Sequence, residues 1–231
     1  MPIAENIARI REQIDAAARE SGRSGRDIAL VGASKMNDAA ACREAAAAGI
    51  DALGENRVQE MVKKQAEHAY DGVPLHFIGH LQRNKVHKVV GQVSLIQSAG
   101  SEALLRDIDK AAESLNLVQD VLLEVNIAGE TAKSGFAPEL LPAAGELALS
   151  LPHVRVLGLM AIPPADASPA ETRRYFDKVR TLYVDMAGNL FHNSLIYLSM
   201  GMSGDFEDAV RAGATMVRVG SSIFGARHYD T

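Results

Sequence analysis

Short apolar runs alternate with helical segments eight times along this chain, and that alternation constrains its fold more than any other feature. Apolar runs without strict polar alternation are typical of strands buried on both faces of a parallel sheet. Strands that alternate with helices predict parallel β/α architecture, and a count of eight favours a closed (β/α)8 barrel of the TIM type. An open, doubly wound sheet is the structural alternative. The predicted strands cover residues 28–35, 52–56, 75–80, 94–98, 118–127, 154–162, 195–201 and 216–224.

An extra helix is predicted before the first strand. Ile3, Ile7, Ile10 and Ile14 recur at the spacing of one amphipathic helix face, and such a helix would cover an end or flank of a barrel. The chain has 231 residues, 47% of them apolar and 23% charged, which suits one globular α/β barrel. We therefore predict a single domain over residues 1–231.

Charge and composition argue against several classes of partner. The formal net charge is −5 and the basic residues are scattered, unlike a nucleic-acid-binding surface. No run of about 18 apolar residues predicts a transmembrane helix, and the first 21 residues lack the apolar core of a secretory signal. The single cysteine, Cys42, cannot form an internal disulfide. We expect a cytoplasmic protein without nucleic-acid or membrane partners.

Lys35 ends the predicted strand 28–35, separated by one residue from the apolar run 28–33, and is therefore predicted at the carboxyl end of the first strand. In barrels and open α/β sheets that end faces the ligand. A lysine there can pair with an anion or, once it has lost its proton, form a Schiff base with a carbonyl group. The alternative is a lysine that only extends into solvent from the end of a strand.

Two later strand ends predict an anion site. Residues 199–205 place small residues and hydroxyls before a helix, and residues 218–222 combine Arg218 with Gly220 and two serines. Helix amino termini and guanidinium groups attract phosphate, and the loops after strands seven and eight often bind it in barrels. If the barrel is correct, the strand ends gather at one mouth, formed by Lys35, Asn56, His80, Asn126, Met160, Ser199 and Ser221 or their neighbours.

Other candidate groups carry weaker signals. His76 and His80 would be about 13 Å apart in a strand, too far to share a metal, so no metal site is predicted. Glu55 and Glu60 are interpreted as charges at a helix start and on the surface, rather than as an acid/base pair. The basic stretch 83–88 is interpreted as a solvated helix face, with a second anion site as the alternative.

Six motifs together resemble the pyridoxal phosphate homeostasis protein family. They are VGASK at 31–35, GENRVQE at 54–60, HFIGHLQRNK at 76–85, LMAIP at 159–163, LSMGMSGD at 198–205 and VRVGSSIFG at 217–225. The resemblance runs from the first helix nearly to the last residue. It implies a barrel similar to the amino-terminal domain of bacterial alanine racemase that binds pyridoxal 5′-phosphate. One departure is Met36, where many relatives have threonine.

The resemblance also implies roles for particular residues. Lys35 would carry the cofactor aldehyde as an internal aldimine, Asn56 would lie beside the ring, and Arg218 would face the pyridine nitrogen. The phosphate would be held by Ser199, Met200, Gly220 and Ser221. These are expected as cofactor-binding residues, and no catalytic residue is expected.

The expected function is binding and intracellular homeostasis of pyridoxal 5′-phosphate, without substantial turnover. An arginine at the pyridine nitrogen has no proton to accept, so it disfavours the pyridinium form that makes the cofactor a strong electron sink. The racemases also take a second acid/base from a separate domain, which is not expected in this chain. The alternatives are a low-activity pyridoxal-phosphate-dependent amino-acid racemase and a sugar-phosphate enzyme that uses Lys35. Apo forms of pyridoxal-phosphate enzymes are expected partners, and a monomer is expected.

Overall fold

Eight parallel strands close into a barrel in a computed structural model that describes residues 2–131 and 133–225. The strands pair in chain order, and the first pairs in parallel with the last, with Val31 opposite Arg218. This closure confirms the barrel and excludes the open sheet. The strands are β1 (Ala29–Ala33), β2 (Ala52–Glu55), β3 (Leu75–Phe77), β4 (Leu95–Ala99), β5 (Gln119–Val125), β6 (Val154–Ala161), β7 (Tyr197–Ser199) and β8 (Met216–Val219).

Helices follow the strands and surround the barrel. They are α1 (Ile3–Glu20), α2 (Ala39–Ala47), α3 (Val58–Ala66), α4 (Glu102–Ser114), α5 (Leu141–Leu149), α6 (Pro169–Asn189), α7 (Phe206–Arg211) and α8 (Ser221–Phe224). Asp38, Ser101 and Ser168 cap α2, α4 and α6 by accepting a backbone N–H of the first turn. Ser168 forms a capping box with Glu171, which explains why α6 begins where it does.

The extra amino-terminal helix covers the seam where the barrel closes. The helix α8, which follows the last strand, is only four residues long, and α1 packs against both α7 and α8. Ile7, Ile10 and Ile14 are buried, as their spacing predicts, and Asn6 Nδ2 donates to Ile223 O at 2.9 Å. The predicted role of α1 as a cover for one flank of the barrel is therefore confirmed.

Apolar side chains fill two layers. A large outer layer lies between the strands and the helices. A smaller separate cluster comes from alternate positions of the strands and fills the barrel interior, as the two-residue period of a strand requires. Its buried members are Val31, Ala52, Leu95, Leu122, Met160 and Met216.

The structure differs from the prediction in strand lengths and in one helical segment. Seven of the eight strands are shorter than predicted, and β4 has the predicted length but is shifted by one residue. The last strand ends at Val219 because Gly220 leaves the extended conformation and α8 begins. The basic stretch 83–88, interpreted from the sequence as a helix face, forms a 3₁₀ helix at Arg83–Lys88. Its three-residue period places Val86 and Val89 on the same buried side.

Within the described ranges, no helix combines the length and apolar character that crossing a bilayer needs.

Candidate functional site

The predicted site residues meet on four adjoining strands at one mouth of the barrel. Ser199 ends β7 and Arg218 lies on β8. Asn56 follows β2 directly, and one residue separates Lys35 from the end of β1. The strand order places β7, β8, β1 and β2 side by side. Residues from the two ends of the chain therefore share one continuous part of the rim.

Gly220 brings the end of β8 against the end of β1. A Cβ atom at Gly220 would lie 3.3 Å from Ala33 O, which is tighter than an ordinary contact. The backbone of the eighth strand end therefore passes close to the segment that carries Lys35. Lys35 itself is half-buried, and its carbonyl accepts a hydrogen bond from Asn37 Nδ2 at 3.1 Å.

Arg218 is a buried cation inside the mouth. Its Nη1 donates to Ser199 Oγ at 2.6 Å and its Nη2 to Ala161 O at 3.2 Å, both uncharged acceptors. Burial lowers the pKa of Arg218 to about 10, although attraction to Asp205 and Glu124 opposes the shift. The guanidinium stays charged at neutral pH, and it has more N–H donors than these two contacts use.

A chain of hydrogen bonds connects Arg218 to the barrel interior. Ser199 Oγ donates to Gln97 Oε1 at 2.7 Å, and Gln97 Nε2 lies 3.0 Å from His76 Nδ1. Burial lowers the pKa of His76 to about 4, so the imidazole is neutral at pH 7 and its Nδ1 can accept the amide proton. Each group therefore orients the next, ending at the guanidinium of Arg218.

Ser203 joins the loops after β7 and β8. Its Oγ accepts from Gly220 N at 3.2 Å and from Ser222 N at 3.5 Å. A hydroxyl and two backbone amides thus meet where the sequence predicted an anion site. The resemblance implied Ser199, Met200, Gly220 and Ser221 for the phosphate, and did not include Ser203. Ser199 Oγ is bonded to Gln97 and Arg218, and the buried Met200 donates its N–H to Met216 O at 3.2 Å.

Glu55 is not a surface charge, and that prediction was wrong. The side chain is fully buried and accepts hydrogen bonds from Lys64 Nζ at 2.7 Å and Tyr70 OH at 3.1 Å. Strand alternation explains the burial, because Asn56 faces the barrel mouth and Glu55 therefore faces outward, beneath α3. The preceding apolar residues 52–54 were the sequence signal for a buried strand.

The remaining candidates lie outside this mouth cluster. His80 is exposed beyond the end of β3, and Arg83 forms an exposed ion pair with Asp107 at 2.5 Å. Burial raises the pKa of the Cys42 thiol to about 11, so the thiol is protonated at neutral pH. In the part of the chain that the structure describes, no three His, Cys, Asp or Glu side chains are grouped to hold a metal ion.

The mouth fits a ligand with an aldehyde, a planar ring and a phosphate. Asn56 Oδ1 is buried and has no hydrogen-bond partner among residues 2–131 and 133–225. Such an orphaned acceptor is costly unless a ligand or water donates to it. Asn56 Oδ1 is one of several groups at the mouth that suit parts of such a ligand. The others are the amine of Lys35, the remaining donors of Arg218 and the close backbone approach at Gly220.

Known proteins match this chain over nearly its whole length. The family model for the alanine racemase N-terminal domain matches residues 4–228. The pyridoxal phosphate homeostasis protein of Aquifex aeolicus is 44% identical over 229 residues, covering 99% of this chain and 100% of that protein. The protein of the same name from Pseudomonas aeruginosa is 42% identical over 227 residues, covering 98% of this chain and 96% of the relative.

Solved structures give the same result. PipY of Synechococcus elongatus without PLP has a TM-score of 0.87 and 37% identity, and covers 96% of this chain and 100% of its own. The PipY structure with PLP bound has a TM-score of 0.81 and 36% identity over the same shares of the two chains. Alanine racemase of Clostridium difficile, at 19% identity and a TM-score of 0.69, shares the fold over 89% of this chain and 53% of its own.

The fold and the residues at its mouth define a (β/α)8 barrel of the alanine racemase amino-terminal-domain class. Several full-length relatives narrow the assignment further. The chain belongs to the pyridoxal phosphate homeostasis protein family.

Proposed function

We propose that this protein binds pyridoxal 5′-phosphate in the barrel mouth and holds it for intracellular homeostasis of the cofactor. One observation carries the proposal. Lys35, Arg218 and the Ser203–Gly220 contact lie at adjoining strand ends, so an amine, a buried cation and a candidate anion-binding loop pair belong to the same mouth of the barrel. The family's relatives bear the homeostasis name, and the PipY structure with PLP bound supports the same ligand.

Each residue has a binding role in this proposal. The cofactor supplies an aldehyde that condenses reversibly with a primary amine, and Lys35 Nζ provides that amine. The orphaned Asn56 Oδ1 lies beside the ring, and Arg218 directs an N–H donor at the pyridine nitrogen. Because the guanidinium offers only donors, it holds that nitrogen in its unprotonated form.

The phosphate is proposed to bind between the loops after β7 and β8. Gly220 and Ser221, which the resemblance implied for the phosphate, are proposed to provide backbone N–H groups, and Ser203 adds a hydroxyl. The Gly220 N–H, which donates to Ser203 Oγ in this structure, would then turn to the phosphate. Ser199 and Met200 remain predicted members of the site. The contact of Ser199 with Arg218 suits it to orient the guanidinium rather than to reach the phosphate with its side chain.

Storage and delivery suit this site better than turnover. Carbanion chemistry needs the ring to accept electron density, and an unprotonated pyridine nitrogen weakens that capacity. We therefore propose a carrier that passes the cofactor to apo forms of pyridoxal-phosphate enzymes, and not an amino-acid racemase. We further propose that the protein is a monomeric single domain and acts in the cytoplasm.

Borohydride trapping tests the proposal. The purified protein is mixed with pyridoxal 5′-phosphate, reduced with borohydride and digested, and the labelled peptide is identified by mass spectrometry. We expect label on Lys35 in the wild type and none at this position in Lys35→Ala, with some cofactor retained through its phosphate. Label on another lysine would refute the assignment, and formation of D-alanine from L-alanine at a steady rate would support the racemase alternative.

A further inference from the structure

A buried ion cluster lies behind the segment that carries Lys35, on the outer side of the barrel. It consists of Glu55 on β2 and of Glu60 and Lys64 on α3. We infer that Lys64 is a positioning residue, which fixes the backbone on both sides of Lys35 and so aims its amine into the mouth. This inference rests on the proposed function, because it takes Lys35 as the residue that binds the cofactor.

The first contacts hold the residue before Lys35. Lys64 Nζ donates to Ser34 O at 2.8 Å and to Glu55 Oε1 at 2.7 Å. Ser34 Oγ in turn donates to Glu55 Oε1 at 2.6 Å. The carbonyl and the hydroxyl of Ser34 are therefore both bound by one buried ion pair, whose side chains are 6% and 0% exposed.

The second contact holds the residue after Lys35. Glu60 Oε1 accepts the backbone N–H of Met36, and the same carboxylate lies 3.1 Å from Lys64 Nζ. Met36 adopts a φ of 62°, a left-handed conformation that is unfavourable for a side chain of this kind. A charge-assisted hydrogen bond at its amide compensates for that cost. Lys64 thus acts on both flanks of Lys35, directly at Ser34 and through Glu60 at Met36.

Lys64 favours its charged form although its side chain is buried. Burial disfavours the charged form of Lys64, but hydrogen bonding and attraction to Glu55, assisted by Glu60, raise its pKa above the ordinary value. Glu55 Oε2 has no hydrogen-bond partner among the described residues. A buried ion pair is weak evidence for added stability, so its presence next to Lys35 calls for another explanation. Fixing the backbone of the segment that carries Lys35 provides that explanation.

A double-mutant cycle separates positioning from general stability. Lys64→Met and Glu60→Ala are each combined with Lys35→Ala, and the affinity for pyridoxal 5′-phosphate is measured. We expect each single variant to weaken binding by about tenfold when Lys35 is present, and by less than about twofold in the Lys35→Ala background. Lys63→Met is the matched control, because this neighbouring lysine is exposed and should leave affinity unchanged.

A second readout does not depend on the cofactor. The cofactor-free protein is acetylated with limiting acetic anhydride over a range of pH, and the rate at Lys35 is measured by mass spectrometry. Lys64→Met and Glu60→Ala should change that rate at least about threefold, whereas Lys63→Met should not. Should Lys64→Met fail to fold, Glu60→Ala at its partly exposed position decides the test.

The outcomes distinguish failure of the positioning role of Lys64 from failure of the proposed function. Equal loss of affinity with and without Lys35, or an acetylation rate unchanged by Glu60→Ala, would overturn the positioning role. If wild-type protein binds no pyridoxal 5′-phosphate, the proposed function fails, while the acetylation rates still report whether the cluster positions Lys35.

Discussion

Arg218 Nη1 donates to Ser199 Oγ at 2.6 Å, so the two residues form one unit in the barrel mouth. The sequence resemblance implied separate roles for them, at the pyridine nitrogen and at the phosphate. Their contact, extended through Gln97 to His76, indicates that Ser199 fixes the direction of the guanidinium. In the proposed phosphate site, the loop hydroxyl is then that of Ser203, whose Oγ accepts the N–H of Gly220.

Ser203→Ala should weaken cofactor binding more than Ser199→Ala does in the Lys35→Ala background, where the phosphate contacts dominate. Loss of one hydroxyl donor to a charged group costs roughly 1.5–3 kcal/mol, about tenfold or more in affinity. Equilibrium titration monitored by cofactor absorbance measures the difference. A larger loss in Ser199→Ala would return the phosphate role to Ser199.

Arg218→Gln should leave the cofactor bound but change the state of its ring. The phosphate contacts are untouched, whereas the positive charge that disfavours protonation of the pyridine nitrogen is lost. We expect the absorbance of the bound cofactor to become dependent on pH near neutrality, and slow turnover of amino acids to increase. The wild-type spectrum, titrated in parallel, is the control. Loss of most of the cofactor, with no spectral change in the fraction that stays bound, would show that Arg218 holds the phosphate instead.

His76 should make the fold sensitive to acid. Its pKa falls from 6.5 to about 4 because burial disfavours the charged ring, so the native state binds fewer protons than the unfolded state between these values. The contribution of His76 to the free energy of unfolding is therefore fully present above pH 6.5. It decreases by about 3 kcal/mol in all as the pH falls toward about 4.

Urea unfolding at neutral and acidic pH measures this effect. His76→Asn removes the titrating ring and should lose less stability on acidification than the wild type. His68→Asn, at a histidine whose side chain is 79% exposed, should behave like the wild type. Equal acid sensitivity in His76→Asn and the wild type would exclude His76 as the cause.

Gly79→Ala should destabilise the fold and disturb the site together. A Cβ atom there would lie 2.3 Å from Asn56 O and 2.6 Å from Asn56 Cα, so the backbone that carries Asn56 must move. We expect a loss of roughly 1–3 kcal/mol in unfolding free energy, with weaker cofactor binding.

Gly188→Ala supplies the matched control for that prediction. Gly188 lies in α6 with no atom within 4 Å of an added Cβ, so alanine should be neutral or stabilising by about 0.5–1 kcal/mol. Unfolding curves of the two variants give the comparison. A Gly79→Ala protein as stable as the wild type would show that β3 and β2 can separate at this point without cost.

The barrel could be predicted from the sequence because its signal is local and repeated. Each apolar run marks a strand, and caps such as Asp38 and Ser168 mark where helices begin. The ends of the strands could be predicted less accurately than their existence. Gly220, for example, ends β8 through its backbone conformation, although it lies inside the predicted strand 216–224. The 3₁₀ geometry of Arg83–Lys88 likewise depends on what its valines pack against.

The site was predictable at the level of strand ends and less so at the level of side-chain contacts. Lys35 and Arg218 could be assigned to the mouth because strand order alone brings them together. The hydrogen-bond partners of Glu55 could not be predicted. Lys64 and Tyr70 lie 9 and 15 residues further along the chain and meet Glu55 only when α3 packs against the barrel. Gln97 and His76 had a detectable signal, as polar residues at inward positions of otherwise apolar strands.

Closure of β1 onto β8 has a consequence for synthesis of the protein. The mouth is built from residues near both ends of the chain, so a nascent chain that lacks β8 has Lys35 but neither Arg218 nor Gly220. A ribosome-bound amino-terminal fragment therefore has no complete site for the cofactor. Ligand that binds only the closed barrel stabilises it by mass action, and the supply of cofactor thereby favours completion of the fold in newly made chains.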